Sequence, residues 1–330
     1  MTRYDDELAA LLALDALPAE EQADAELRLG TFPLGYGPVT EALADGQATE
    51  PPAELRAATM SRALTRRAPG RPVDGAQPCR PLEAYLRTAE DLRALLDSLR
   101  PDEWTAQAHA EHGSVHNLMA HLVGVERLSV RWLTEDDVPP LPDHVASTRP
   151  VVDSLADAEG AEVTRQWYSA TREVAAAAAQ TDPRRVFGFH DMHATVSGFL
   201  IIRTFELWAH AMDITAATGR PLLRLDDERM AALSSRLMAA LPMALTFRRR
   251  TAPGRTMRFV LTGPAGGTYT VPLHPGEQPG EPDAVVVADA TQLCLVAAQR
   301  LAPDALPATV DGDRELAAAV LAGIDGFARD

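Results

Sequence analysis

The chain of 330 residues has a formal net charge of −16 and is 46% hydrophobic, which indicates two or three globular domains and excludes a wholly disordered protein. Its 47 acidic residues against 31 basic ones exclude a general binder of nucleic acid or of anionic membrane surfaces. No Lys is present, so chemistry that needs a lysine, such as a Schiff base or a P-loop, is excluded as well.

The first part of the chain predicts a short helical domain over residues 1–66. One helix covers residues 5–17, a second begins at Pro18 and a third covers residues 53–66. The following segment, 67–78, is rich in Pro and Gly and lacks hydrophobic periodicity, so we expect an interdomain linker.

Residues 79–220 predict a four-helix bundle. Ser114 is a plausible N-cap for the second helix, and Gly219 followed by Pro221 is typical of a helix end. A Pro-rich segment, 134–150, separates the second helix from the third and gives the bundle one long crossover. The four amphipathic patterns cover residues 81–99, 114–133, 156–180 and 194–219.

In residues 221–330 strand patterns appear beside helical ones, which predicts a small α+β domain. One more helix, 227–245, precedes three strand patterns that are separated by turns rich in Pro and Gly. Two helical patterns follow the strands. The predicted fold is therefore mainly α with a small α+β domain at its end.

The compartment is expected to be the cytoplasm. The amino terminus lacks the basic region of a signal peptide, and no run of about 18 apolar residues predicts a membrane span. Cys79 and Cys294 are the only cysteines and lie far apart, which fits neither a disulfide framework nor a cysteine-rich zinc site.

Three side chains of the predicted bundle suggest a metal site. Glu206 and His210 lie four residues apart on one helical face, and His121 interrupts an apolar stretch of another helix. Two His and one Glu form a catalytic zinc set that leaves one position open. Asp213 is placed to support a ligand His, or else lies in solvent near the helix end. The alternative is a hydrogen-bonded pair of Glu206 with His210 and a core histidine at His121.

The same residues carry a resemblance to a known family. The segment from Trp104 to Arg127, which contains H-G-S-V-H-N-L-M-A-H-L, and the segment R-T-F-E-L-W-A-H-A-M-D-I at 203–214 resemble the two signatures of the DinB-like mycothiol-dependent maleylpyruvate isomerase and mycothiol S-transferase family. The tail 283–321, with Arg300 and V-D-G-D, resembles the family's sterol-carrier-like C-terminal domain. The resemblance covers about residues 79–330.

The resemblance implies an enzyme with a divalent metal, zinc above all, held by His121, Glu206 and His210. It also implies mycothiol, whose metal-bound thiolate attacks a small electrophile, as in the conversion of maleylpyruvate to fumarylpyruvate. No cysteine lies near the motifs, so an external thiol is expected. Arg300 is implied as the binder of substrate carboxylates. The alternative arginines are Arg248, Arg249, Arg250, Arg255 and Arg258.

Further histidines lie in loops beside the predicted bundle. His193 is favoured as a catalytic proton shuttle over His109, His112 and His190, because it directly precedes the helix that carries His210. His116 projects from another side of its helix and is expected at the rim. Trp167 and Tyr168 are expected in the core.

Residues 1–66 resemble the N-terminal part of an anti-sigma factor. The place of that family's zinc ligands reads L-R-L-G-T-F-P-L-G-Y-G-P, without His or Cys, so no zinc site is expected there. The block either binds a sigma factor or is a helical appendage. Two alternatives to the isomerase hypothesis therefore remain, a regulatory interaction protein and a thiol transferase of secondary metabolism.

Overall fold

The computed structural model describes residues 25, 53–70, 75–135, 138, 143–189 and 192–327. The chain divides into two compact units, residues 1–60 and 61–330. The helices predicted at 5–17 and from Pro18 lie outside the described residues, except for Ala25. Helix α1, Ala53–Thr65, agrees with the third predicted helix.

The first half of the 61–330 unit is helical. Here α3 packs against α4 and α5, while α2 packs against α5 and α6. Ser114 accepts a hydrogen bond from the backbone N–H of Asn117 and so begins α3 as predicted. Gly219 ends α6 with a left-handed φ of 64°. The helices are α2, Pro81–Asp97; α3, Val115–Thr134; α4, His144–Ser154; α5, Gly160–Ala179; and α6, Val196–Thr218.

Helix α4 differs from the prediction, because it lies in the Pro-rich segment that the sequence assigned to a crossover. Asp143 begins it by accepting a hydrogen bond from the backbone of Ala146 at 3.0 Å. Helix α4 then approaches α3 very closely, since a β-carbon added to Gly124 would lie 2.9 Å from Cβ of Thr148. Glycine at position 124 of α3 therefore permits the close contact with α4 that places Thr148 beside His121.

The second half of this unit is a four-stranded sheet with helices. In the order β6–β5–β7–β8, β5 runs parallel to β7, and the other neighbours are antiparallel. Leu237, Phe259 and Leu293 are fully buried where the helices cover the sheet. The elements are α7, Asp227–Phe247; β5, Thr256–Thr262; β6, Gly267–Pro272; β7, Ala284–Asp289; α8, Ala290–Ala297; β8, Ala308–Gly312; and α9, Arg314–Leu321.

Helix α7 is the one helix of the described residues that is long and apolar enough to cross a membrane, and 61% of its apolar window is buried inside the protein. This burial is typical of a core helix. The described residues are mostly helical with small sheets, as the sequence predicted. The predicted linker is bonded to the sheet, since the backbones of Gly70 and Thr268 exchange two hydrogen bonds of 2.9 and 2.7 Å.

Two short hairpins occupy sequence that was expected to form loops. Strands β1, Gln107–His109, and β2, Gly113–Ser114, pair directly before α3. Strands β3, Val186–Phe189, and β4, Met192–Thr195, pair directly before α6. Each hairpin therefore presents its histidines at the start of a helix that carries a predicted ligand.

Candidate functional site

Four imidazoles lie together where the first hairpin meets α3 and α6. His112 stacks on His121 with ring centroids 3.9 Å apart, and His109 stacks on His112 at 4.7 Å. The ring of His210 stands edge-on to these three, with centroid distances of 5.7 Å to His109, 5.8 Å to His112 and 6.5 Å to His121. The structure thus brings His121 and His210 together, as predicted, and adds two histidines that were expected only in a loop.

The Nδ1 atom of His121 is bonded to α4. It lies 2.7 Å from Oγ1 of Thr148, whose hydroxyl donates to the carbonyl of Val145 at 3.0 Å. Because the Thr148 proton is used for that carbonyl, its oxygen accepts the bond and Nδ1 of His121 is the donor. In the neutral ring, Nε2 therefore carries the lone pair.

His210 has the same arrangement with a carboxylate. Its Nδ1 lies 3.1 Å from Oδ2 of Asp213, one turn further along α6. Burial raises the pKa of Asp213, but the hydrogen bonds from His210 and Arg300 outweigh this effect and hold the pKa below its usual value. Asp213 is therefore a carboxylate at neutral pH and accepts the hydrogen bond from Nδ1 of His210, so the neutral form of this ring carries its lone pair on Nε2.

Arg300 reaches this cluster from the sheet half of the unit. Its Nε donates to Oδ1 of Asp213 at 3.0 Å and its Nη2 donates to Oδ2, so the pair is two-pronged. Its remaining Nη1 donates to the carbonyl of Ala298. In this conformation the Arg300 guanidinium is hydrogen-bonded to the Asp213 carboxylate. The expected role of Arg300 in binding substrate carboxylates stays a prediction.

Glu206 lies one turn before His210 on α6, and its side chain is 40% exposed. Its carboxylate contacts Nη1 of Arg203. Arg203 is 1% exposed and also donates, through Nη2, to Oε1 of the fully buried Glu126 at 2.8 Å. A buried arginine thus lies between two carboxylates beside the predicted metal ligands.

The residue types at this site fit a zinc ion. In both His121 and His210 a hydrogen bond at Nδ1 orients the ring as in a zinc-ligating histidine, and Glu206 offers a carboxylate. The ring centroids of His121 and His210 lie 6.5 Å apart. Two imidazoles bound to one zinc ion have ring centres roughly 5 Å apart, so these two rings are further apart than in an occupied zinc site. Accordingly, no three His, Cys, Asp or Glu side chains among the described residues are already placed to hold a metal.

The other predicted histidines lie elsewhere. His193 is exposed on β4, opposite Gly188, and makes no ring contact with the four imidazoles within the described part of the chain. Its role as a proton shuttle stays a prediction. His116 donates from Nε2 to the carbonyl of Ala158 at 2.9 Å. His190 lies outside the described residues.

Two of the alternative arginines, Arg255 and Arg248, have acidic partners outside the cluster, and the aromatic pair lies apart from it. Arg255 forms ion pairs with Asp283 and Asp313, at 2.7 and 2.6 Å, and Arg248 pairs with Asp325 at 3.1 Å. Trp167 is fully buried, as predicted for a core residue. Tyr168 is only partly buried, and its hydroxyl donates to Glu90.

The fold and the cluster define a helical protein with a site of imidazoles and carboxylates. Residues 85–215 match the model of the mycothiol maleylpyruvate isomerase N-terminal domain. The two segments that carry the sequence motifs, 104–127 and 203–214, both lie inside this match. The prediction from the two motifs is therefore confirmed.

A solved structure shows the same fold. A crystal structure of a point mutant of the mycothiol-dependent maleylpyruvate isomerase matches with a TM-score of 0.50 and 15% identity, over 69% of this chain and 91% of that one. Another crystal structure of the mycothiol-dependent maleylpyruvate isomerase matches with a TM-score of 0.48 and 14% identity over the same shares. No curated protein matches the chain.

Proposed function

We propose that this protein is an enzyme that uses mycothiol to isomerise or S-conjugate a small electrophile. The observation that carries the proposal is the pairing of His210 with Asp213, inside a matched domain and beside His121. This pair supplies an imidazole that is oriented by a carboxylate bonded to Nδ1, which is the arrangement of a metal-ligating histidine.

The chain's own cysteines are unsuited to be the nucleophile. Cys294 is fully buried, and burial raises the pKa of its thiol far above the usual value. Burial and the charge of Glu83 also raise the pKa of Cys79. Because the thiolate is the reactive form, the thiol has to come from a cosubstrate.

The reaction follows from these groups. The thiol gives its proton to a base outside the metal-holding set, the role proposed for His193, because Nδ1 of His210 is bonded to Asp213 and its Nε2 is the atom that would face the metal. The thiolate sulfur then adds to an activated carbon–carbon double bond, whose electron pair moves to the adjacent carbonyl. Rotation and loss of the same thiolate give the isomer, whereas displacement of a leaving group gives an S-conjugate and the free leaving group.

A divalent metal is part of the proposal, with His121, Glu206 and His210 as the residues that hold it. When bound, zinc lowers the pKa of a coordinated thiol. Thr148 and Asp213 orient the two imidazoles, each through an Nδ1 bond.

The finer architecture is likewise proposed. Residues 79–220 form a DinB-like four-helix bundle and residues 221–330 a sterol-carrier-like domain, joined by 67–78 to the helical block 1–66. A chain with unpaired cysteines and a thiol cosubstrate suits the reducing cytoplasm. Binding of a sigma factor by residues 1–66 stays a prediction, because most of that block lies outside the described residues.

The test is turnover by the purified full chain. Maleylpyruvate and a panel of electrophiles with leaving groups are incubated with and without mycothiol, and products are identified by NMR and mass spectrometry. We expect mycothiol-dependent product with one class, and loss of it in His210→Ala. Equal rates with and without mycothiol across the panel contradict the proposal. Isomer without adduct separates the isomerase from the transferase.

A further inference from the structure

Arg203 is a buried cation of the helical half, and it contacts two acids of very different exposure. Glu126 on α3 is fully buried and accepts from Nη2 at 2.8 Å. Glu206 on α6 is 40% exposed and contacts Nη1. Arg203 thus forms ion pairs with two acids, Glu126 in the core and Glu206 at the solvent-exposed surface.

The core holds Arg203 in place. Oε2 of Glu126 and Nε of Arg203 are both buried without a hydrogen-bond partner in the described part of the chain, and Nη1 of Arg203 meets Glu206 as an ion pair without a hydrogen bond, so these charges depend on each other. Tyr85 is buried beside them, and burial together with the charge of Glu126 raises the pKa of its hydroxyl well above the usual value. Tyr85 is therefore neutral, and Glu206 completes the charge balance from the site side.

We propose that Arg203 is a positioning residue that acts through Glu206, because it competes with a divalent cation for the Glu206 carboxylate. Glu126 sets the strength of this competition by neutralising part of the arginine charge. The inference rests on the proposed function, in which Glu206 binds metal with His121 and His210. In this inference the charge of Arg203, which contacts the ligand Glu206 and would not itself touch the metal, controls the affinity for the metal.

The proposal predicts different metal affinities for two variants. Glu126→Gln keeps the shape and an oxygen acceptor but leaves the whole arginine charge to Glu206, so metal affinity falls by about tenfold or more. Arg203→Met combined with Glu126→Gln removes the competitor together with its buried partner, so metal affinity equals or exceeds that of the wild type. Both effects vanish when Glu206 is replaced by Gln.

The experiment is a zinc titration of the full apo chain against a chromophoric chelator. The wild type and the two variants are compared, each with Glu206 and with Glu206→Gln. Glu103→Gln is the matched control, because Glu103 is also buried and pairs with an arginine, Arg220, at 2.8 Å. Its zinc affinity is expected to equal that of the wild type. Thermal unfolding establishes that each variant is folded.

The possible results separate the claims. A wild type that binds no zinc contradicts both the metal assignment and this inference. A wild type that binds zinc, with an affinity that Glu126→Gln leaves unchanged or changes equally in the Glu206→Gln background, contradicts this inference alone. If Glu126→Gln does not fold, a combined Arg203→Met/Glu126→Gln variant that binds zinc more weakly than the wild type overturns it.

Discussion

Arg300 and Asp213 form a two-pronged ion pair that joins the sheet half of the 61–330 unit to helix α6. The side chains are 17% and 13% exposed, so solvent screens their attraction only weakly. Because Asp213 also accepts from Nδ1 of His210, one carboxylate holds both the arginine and a histidine of the cluster. The orientation of His210 is therefore coupled to the contact between the two halves.

Asp213→Asn should weaken both stability and activity. The amide removes the charge that balances Arg300 and leaves a largely buried guanidinium, which costs about 3 kcal/mol of unfolding free energy. Loss of the orienting carboxylate should lower kcat/KM about 10- to 100-fold. Urea unfolding and mycothiol-dependent turnover measure the two effects. Asp227→Asn, an acid in the first turn of α7, is the control and should change neither.

Stability should depend on pH through Asp213. Because its folded pKa lies below the unfolded value of about 3.9, its contribution is fully present above that value and is lost as the pH falls through the folded pKa. The difference in unfolding free energy between the wild type and Asp213→Asn should therefore be constant from pH 5 to 7 and shrink below about pH 4. A difference that grows on acidification speaks against this ion pair.

Thr148→Val should remove the hydrogen bond that fixes the tautomer of His121. The isosteric valine removes the acceptor of the Nδ1 bond, at a cost of about 1–2 kcal/mol, and lets the proton of the neutral ring move between the two nitrogens. Nitrogen NMR of labelled histidine reports the tautomer directly. Thr148→Ser keeps the hydroxyl and should retain the wild-type tautomer. An unchanged spectrum in Thr148→Val would show that Thr148 does not set it.

Gly124→Ala should displace α4 although alanine favours helices. The added methyl group would lie 2.9 Å from both Cβ and Cγ2 of Thr148 and 3.3 Å from its Cα, so the backbone of α4 has to move. We expect a loss of about 1–3 kcal/mol by chemical denaturation, together with the tautomer change of Thr148→Val. Gly188→Ala, whose methyl group would meet nothing closer than 3.6 Å, is the control with little effect.

Local signals in the sequence predicted much of the fold and part of the site. Ser114 and Gly219 mark their helix ends because a cap depends on one residue and its neighbours. His121 and His210 stood out because a polar ring in an apolar helix is unusual. The pairing of His210 with Asp213 followed from their spacing on one helix.

The other features of the fold and of the site depend on contacts between distant residues, which the hydrophobic periodicity of the sequence does not predict. Helix α4 lies in a Pro-rich segment, and the close approach at Gly124 that seats it is visible only in three dimensions. His112 reaches His121 through a hairpin of a few residues, too short for a strand pattern. Glu126 and Arg203 did carry a signal, since each interrupts an apolar helix as His121 does, but charged residues are usually assigned to the surface.

The most direct test of the central claim is turnover by a chain without cysteines. In Cys79→Ser/Cys294→Ala the protein has no thiol of its own, so any thiol chemistry has to come from the cosubstrate. We predict that this variant, supplied with mycothiol, converts maleylpyruvate or an S-acceptor from the panel at the wild-type rate and does nothing without it. Loss of turnover in a folded cysteine-free chain, or turnover by the wild type without mycothiol, would contradict the account.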